Sequence, residues 1–328
     1  MRERKELMIN MLLTGVPANI MALAGLVFAF IMTCLLLVKC NDRLPKDQGR
    51  EFAVNGALSA GKPRGAGFIF ILVFIAAVVL FCELNTEIII YLVLLAAAMM
   101  TGFLDDCSRA PWGELKKGLL DFAIAVMVAI TFLNFNSNVV EFAIFGGSIT
   151  IPPVIFGILT VVLVWVSINV TNCSDGVDGL SGTLSIISLL TLYIIMKLAG
   201  TDMEFGYFVL LFVTCILGYL WFNATPSILM MGDAGSRAMG LVIAIAALKC
   251  RSPFLYLLAA LVLILDGGLG LVKVALLRFL KIKILANTRT PLHDHVRKVW
   301  NWSNTQAVYR FAIIQIVISV AVVYLYML

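Results

Sequence analysis

The stretch NVTNCSDGVDGLSG, residues 169–182, closes an apolar run that begins near residue 153. It carries Asn169, Asn172, Asp175 and Asp178, and a glycine follows each aspartate. A run of about 18 to 20 apolar residues is long enough to cross a bilayer. The pattern therefore predicts a membrane helix that ends in a polar cluster at one face of the membrane.

The rest of the chain repeats this apolar character. Hydrophobic residues make up 62% of the 328 positions and charged residues only 13%, far from the averages of soluble domains. We place spans near residues 18–39, 67–82, 88–104, 118–134, 153–170, 179–198, 205–222, 237–250, 254–277 and 307–327. The predicted fold class is an all-α polytopic membrane protein with about ten transmembrane helices, and residues 1–328 form a single integral membrane domain. The expected partner is the lipid bilayer and not a nucleic acid.

Basic residues indicate the orientation of these spans. The connections after odd-numbered spans hold 18 of the 24 Lys and Arg residues, and the other side keeps Arg2, Arg4, Lys5, Lys197, Lys249 and Arg251. The positive-inside rule makes the first set cytoplasmic. The basic amino terminus disagrees, and we follow the larger count. We expect Pro17 to divide the long apolar run of residues 8–38.

Two further features concern the connections. The seven cysteines form no CxxC pair, so disulfides and zinc are not expected. The outer connection 134–152 contains two short alternating runs around Gly146-Gly147, a pattern that predicts a small outer β-hairpin.

Polar residues with chemical potential concentrate in the cytoplasmic connections: Asp105, Asp106, Lys116, Lys117, Asn172, Asp175, Asp178, Asn223, Asp233, His293 and His295. Each group alone has an ordinary reading as a span end, an Asp-Gly turn, a positive-inside anchor or a solvated loop. Their joint occurrence favours a Mg²⁺-bridged phosphate, because Mg²⁺ prefers carboxylates together with substrate phosphates and the lysines neutralise the remaining charge. Phosphoryl transfer chiefly requires positioning and charge stabilisation. We therefore expect an active site on the cytoplasmic face, where a soluble nucleotide donor meets a lipid phosphate.

Three motifs in order carry a family resemblance. NVTNCSDGVDGLSG resembles the NxxN-(L)-TDGLDGLA element of the polyprenyl-phosphate N-acetylhexosamine-1-phosphate transferases, GFLDD resembles their first aspartate motif, and FNATPSILMMGDAGS resembles FNxxPAxxFMGDxGS. The match runs from about Gly61 to the last span. TPLHDHVRKVWNWSNTQAVYRF is similar to the APIHHHFELKGW…RF segment of the branch that uses UDP-MurNAc-pentapeptide and undecaprenyl phosphate.

The resemblance implies the catalytic residues. Asp105 is implied as a base for the lipid phosphate, Asp106 as essential, Asp233 as the aspartate associated with Mg²⁺, and His293 as part of the histidine motif. Mg²⁺ is the implied cofactor, with Asp175 as a second candidate ligand. The family also has ten spans with both termini outside and a broken ninth helix, for which Asp266-Gly267-Gly268 is the expected place.

The resemblance also implies the substrate-binding residues: Lys62, Lys116, Lys117, Asn172, Asp175, Gly176, Asp178, Asn223, His293 and His295. Either Lys116 or Lys117 takes the place of the family lysine. The chain departs from the family at two points. The middle histidine of the motif is Asp294, and the family's TPTMGG is KPRGAG, with Lys62 and Arg64 in place of threonines.

Three functions stay open at this point. The first is phospho-MurNAc-pentapeptide transfer to undecaprenyl phosphate, with release of UMP. The second is a sister transferase that uses UDP-GlcNAc. The third is an ion-coupled transporter. It is disfavoured because transporters place ionisable groups near the bilayer midplane, whereas nearly every acid here sits at a span end on one side. Asp121, about one turn into a span, and Asp266 are the only partial exceptions. The oligomeric state is open, a homodimer being one alternative, as is the choice between a one-step reaction and a route through a phosphorylated aspartate.

Overall fold

The computed structural model describes residues 16–49, 59–108, 110, 112–142 and 146–328. The basic amino terminus, Arg50 and Arg109, which entered the charge count, lie outside these residues. In the described part the helices are α1 Ala18–Cys40, α2 Ala66–Phe81, α3 Thr86–Asp106, α4 Glu114–Phe135, α5 Pro153–Cys173, α6 Leu180–Ala199, α7 Met203–Asn223, α8 Gly232–Lys249, α9 Pro253–Ala259, α10 Leu261–Leu280, α11 Leu292–Lys298 and α12 Asn304–Met327.

The helices confirm the prediction of an all-α polytopic membrane protein. Within the described residues, seven are long and apolar enough to cross a membrane, and α9 with α10 makes an eighth if the bent pair is one span. Each remaining predicted span has its helix: α2 has 16 residues, and α8 has 18 but includes three charged side chains. Helix α1 begins directly after Pro17; the part of the apolar run before residue 16, which Pro17 is expected to divide from it, lies outside the described residues.

Helix α8 forms the centre of the bundle. Each of its residues is buried, and it packs along α2, α3 and α5. At Gly102 a Cβ atom would lie 2.4 Å from the carbonyl carbon of Asp233, so only glycine allows α3 to approach α8 this closely. This crossing brings the carboxyl end of α3, with its aspartate pair, next to the beginning of α8.

Most predicted site residues lie in helices and not in the connections that the sequence predicted, among them Asp105, Asp106, Asn172, Asn223 and both histidines. Asp233 lies in the first turn of α8, which begins at Gly232, and Lys117 lies in the first turns of α4, which begins at Glu114. The hydropathy pattern began these two spans too late, because their first turns are polar. An acidic side chain at a helix amino terminus is favourable, since it faces the positive end of the helix dipole.

The predicted hairpin is confirmed in the connection between α4 and α5, which the charge distribution predicts to be on the outer side. Strand β1, Val139–Glu141, pairs antiparallel with β2, Ser148–Thr150. Gly146 and Gly147 both have positive φ, as a tight return requires. Residues 143–145 of the turn lie outside the described part.

The ninth span is bent, but the expected position of the break was wrong. The chain turns by 71° between α9 and α10, at Ala260, whereas Asp266-Gly267-Gly268 lies within a π-helical turn of α10. Gln315 of α12 accounts for the position: its side chain accepts from Val262 N at 2.9 Å and donates to Leu258 O at 3.0 Å. Backbone groups freed by a break at membrane depth need such partners.

Candidate active site

A cavity of about 560 Å³ opens where the predicted cytoplasmic ends of the helices meet. The predicted residues that line it are Lys62, Lys117, Asn172, Asp175, Gly176, Asp178, Asn223, Asp233 and His293. Other lining residues had no predicted role: Asp47, Arg64, Asp294, Arg297 and Asn304 are among them. Five chain segments that are far apart in sequence therefore converge on one polar cavity.

Lys117 joins two of the predicted catalytic aspartates. Its Nζ lies 3.0 Å from Asp233 Oδ2 and forms a second ion pair with Asp105 Oδ2. The other oxygen of Asp105 accepts a hydrogen bond from Trp112 N at 2.7 Å. Both carboxylate oxygens of Asp105 are thus engaged, and the ammonium group is held at the wall of the cavity.

Arg64 is the second cation of the site. Its guanidinium lies 2.9 Å from Asp106 Oδ1 and 3.4 Å from both Asp233 Oδ1 and Asp47 Oδ1. Burial alone lowers the pKa of Arg64, but Asp106, Asp233, Asp47 and Asp175 together raise it above its ordinary value. Arg64 therefore stays cationic at every working pH.

Backbone pairing explains why Arg64 reaches the site. Met230 N donates to Pro63 O at 2.8 Å, and Ala66 N donates back to Met230 O at 3.0 Å. The KPRGAG segment is thereby fixed beside MMGDAGS. Arg64 was noted in the sequence only as a departure from the family motif, and no pattern indicated its carboxylate partners.

The structure separates the two adjacent lysines. Lys117 lines the cavity, whereas Lys116 Nζ lies 3.2 Å from the ring centroid of Trp112, outside the cavity lining. His295 is also outside that lining: its Nδ1 accepts from Arg289 N at 3.2 Å and its ring packs edge-on against Trp300. Their predicted contacts with substrate stay predictions.

The opening stretch forms another wall of the cavity. Asn172 Oδ1 accepts from Ser236 Oγ at 2.8 Å, and Asp178 Oδ2 accepts from Ser227 N at 3.2 Å. Asn223 is buried and bridges Gly179 N and Leu229 O, at 2.8 and 2.9 Å. These bonds hold the glycine-bracketed loop against the beginning of α8.

A second, buried ion pair lies one helical turn deeper. Arg237 Nε lies 3.1 Å from Asp121 Oδ1, and both side chains are at most 3% exposed. Lys117 and Asp121 on α4 thus oppose Asp233 and Arg237 on α8, with the signs reversed in the second pair. Asn169 approaches this pair, with Nδ2 at 3.5 Å from Asp121 Oδ2, and does not line the cavity.

The acidic side chains of the site also bear on metal binding. Within the described ranges, no three or more His, Cys, Asp or Glu side chains form a group that could hold a metal ion. Apart from the ion pair between Arg64 Nε and Oδ1, neither oxygen of Asp106 has a side-chain partner among the described residues, although the carboxyl group is buried. Two such oxygens beside Asp233 suit a hard cation that takes oxygen ligands.

Comparison with known proteins identifies the family. The sequence profile of glycosyl transferase family 4 matches residues 88–251. A phospho-N-acetylmuramoyl-pentapeptide-transferase of Treponema pallidum (strain Nichols) is 41% identical over 304 residues, which covers 87% of this chain and 84% of that protein. Proteins of the same name from Borrelia garinii subsp. bavariensis and Wolbachia pipientis wMel are 30% and 26% identical; the first comparison covers 90% of this chain and 92% of the relative, the second 79% and 82%. The chain belongs to glycosyl transferase family 4 and, within it, to the phospho-N-acetylmuramoyl-pentapeptide-transferases.

Proposed function

We propose that the protein transfers phospho-MurNAc-pentapeptide from UDP-MurNAc-pentapeptide to undecaprenyl phosphate, releasing UMP and forming lipid I in peptidoglycan synthesis. The relatives support the reaction class. The observation that carries the proposal is the convergence of Asp105, Asp106 and Asp233 with Lys117 and Arg64 at one end of a bundle of apolar helices. A membrane-bound phosphate and a water-soluble nucleotide can both reach such a place.

Lys117 and Arg64 are proposed to bind the diphosphate of the donor. In the one-step reaction an oxygen of the lipid phosphate attacks the sugar-linked phosphorus, and the bond from that phosphorus to the oxygen of UMP breaks. Negative charge then grows on the departing UMP. Cations already fixed by carboxylates stabilise this charge without reorganisation at the moment of reaction.

Mg²⁺ is proposed as the cofactor. Asp106 and Asp233 would hold it, because Asp233 lines the cavity, Arg64 contacts both carboxylates, and Asp106 has no other side-chain partner among the described residues. Asp175, which also lines the cavity, stays a candidate ligand. The bound ion would neutralise phosphate charge. Chelation should stop transfer, and added Mg²⁺ should restore it.

Asp105 is proposed as the base that takes a proton from the lipid phosphate when that phosphate arrives as the monoanion. It ends α3, where a membrane-embedded acceptor presents its head group. Its Oδ2 is paired with Lys117, so an incoming phosphate that attracts Lys117 also frees the carboxylate. The two events are thereby coupled in one site.

The opening stretch is proposed to bind the uridine end of the donor. Asn172, Asp175, Gly176 and Asp178 line the cavity beside the charge cluster. Their amide and carboxylate groups can bond to a uracil and a ribose, and Asn223 supports the loop from behind. The active site is proposed to face the cytoplasm, where nucleotide sugars are made.

The sister activity with UDP-GlcNAc is kept because of one observation, the aspartate at position 294 in place of the middle histidine. The deciding experiment offers purified protein undecaprenyl phosphate and Mg²⁺ with each donor separately. We expect the MurNAc-pentapeptide lipid and an equal amount of UMP. Formation of the GlcNAc lipid alone would overturn the proposal.

The transporter alternative has lost its two exceptional residues. Asp121 is paired with Arg237, and Asp266 is bonded to His293. Within the described part of the chain, both of these carboxylates are therefore already engaged, and neither is free for ion coupling.

A further inference from the structure

The carboxyl group of Asp266 is fully buried, and the hydrogen bonds it accepts in the described part of the chain come from one residue. Asp266 Oδ1 accepts from His293 N at 2.7 Å, and Asp266 Oδ2 lies 2.8 Å from His293 Nδ1. A single carboxylate therefore fixes both the backbone and the imidazole of His293. The family resemblance implies that His293 takes part in catalysis, whereas Asp266 has so far had no role in the reaction.

The position of Asp266 is set by its own helix. It lies in the π-helical turn Ile264–Gly268 of α10, and this turn packs against α5. A π turn widens the helix and changes the direction in which its side chains project. The carboxylate is thus held between the helix that carries the nucleotide loop and the short helix α11 that carries His293.

The contact determines which nitrogen of His293 carries a proton. An ionised carboxylate only accepts hydrogen bonds, so Nδ1 must be the donor to Asp266. The second nitrogen, Nε2, is then the one presented to the cavity. It lies against Gly176, where a Cβ atom would come within 2.3 Å of it, and Gly176 lines the same cavity.

Helix α11 is anchored around this ring from a second side. Arg297 is buried, its Nη2 donates to Gly176 O at 3.3 Å, and its Nε donates to His293 O at 3.2 Å. These bonds fix the backbone of His293 relative to the loop that carries Gly176. The rotation and the tautomer of the ring remain to be set, and Asp266 sets both.

We propose that Asp266 is a positioning residue that holds His293 as the Nδ1-protonated ring, so that Nε2 points at the sugar-linked part of the donor. The expected effect of Asp266 on the reaction rate rests on the proposed transfer reaction. The tautomer of His293 does not, because it is a property of the protein without substrate. A carboxylate that orients a histidine in this way also fixes which nitrogen is available for chemistry.

The direct test is nitrogen NMR of protein labelled only at histidine. The chain has two histidines, so comparison with His295→Gln identifies the His293 signals. We expect Nδ1 of His293 to be protonated at pH 8 and its signals to change in Asp266→Asn and Asp266→Ala. An unprotonated Nδ1 in protein that retains Asp266 would overturn the proposal, and it would do so whether or not the transferase reaction is the correct one.

The functional test is a double-mutant cycle with whichever sugar nucleotide the unaltered protein uses. Asp266→Ala should lower kcat by about 10- to 100-fold, as expected for a carboxylate that orients a histidine. In a His293→Ala background the same change should have little further effect, since residues that act as a unit are not additive. Effects that multiply would show that Asp266 acts independently of His293, which would contradict the proposal. UMP binding by each variant checks that the cavity is still folded, and Asp266→Asn serves as the milder variant.

Discussion

At the scale of single residues, the two adjacent lysines offer a matched comparison. Lys117 bridges Asp105 and Asp233, whereas Lys116 packs on Trp112. Lys117→Met should lower the rate of transfer by about 100-fold or more, the usual cost of removing one group that stabilises developing charge. Lys116→Met should cost far less. The measurement is the initial rate of lipid product formation in detergent, with the melting temperature as a check on folding. Equal losses in the two variants would contradict the assignment of Lys117.

Asp105 gives a prediction about pH. The second pKa of a phosphate monoester is about 6, so the lipid phosphate is partly monoanionic at pH 6 and fully dianionic at pH 9. A base that removes the remaining proton matters at low pH and loses its task as pH rises. We therefore expect the rate defect of Asp105→Asn to be severe at pH 6 and smaller at pH 9.

The measurement is the rate of Asp105→Asn divided by the rate of the unaltered protein at each pH from 6 to 9. A defect of constant depth would mean that Asp105 acts only by holding Lys117 in place. A phosphorylated aspartate trapped from the sugar nucleotide without lipid would contradict the one-step reaction.

Sequence motifs predicted which residues enter the cavity better than they predicted what those residues contact. The aspartates, Lys117 and His293 lie in short motifs whose residue types suggest phosphate chemistry. Asp47, Arg64 and Asp266 were missed as site residues, because their partners lie more than 15 residues away in sequence and no local pattern joins them. The only local indication of an additional cation was the presence of Lys62 and Arg64 in KPRGAG, in place of the family's threonines.

At the scale of helices, each of the ten apolar runs has a helix in the described structure, and seven or eight of these helices are long and apolar enough to cross a membrane. The runs placed the polar ends of the helices poorly. Hydropathy stops at the first charged residue, so the first turns of α4 and α8 were assigned to connections. The bend of the ninth span was assigned to glycines, although the structure places it at Ala260. That break is supported by Gln315, a polar side chain three helices away in sequence order, and such a tertiary contact has no local signature.

The buried pair of Asp121 and Arg237 allows a prediction about α4 and α8. Removing one member of a buried ion pair costs about 3 to 5 kcal/mol, because the other charge is left without a partner, whereas replacing both by apolar residues is often neutral. Arg237→Leu alone should therefore lower the melting temperature in detergent strongly. Asp121→Leu combined with Arg237→Leu should recover most of the loss. A double variant as unstable as the single one would show that the pair is required for packing in its charged form.

At the scale of the whole molecule, composition and charge predicted a membrane protein whose chemistry gathers at one end. The described structure places the ends of α5 and α7 and the beginnings of α4 and α8 around one cavity. The aspartate pair at the end of α3 contacts two residues of the lining, Lys117 and Arg64. The side of the membrane that this end faces rests on the distribution of basic residues. The claim that the active site faces the cytoplasm therefore depends on the fold, the site and the proposed function together.

The most direct test of that claim is transfer in sealed membrane vesicles of known orientation. UDP-MurNAc-pentapeptide is too polar to cross the bilayer, so only vesicles with the active site outward can use added donor. Inverted vesicles, which expose the cytoplasmic face, should form lipid product and UMP at once, and right-side-out vesicles only after they are permeabilised. Immediate product in intact right-side-out vesicles, with none in inverted vesicles until they are permeabilised, would contradict the account.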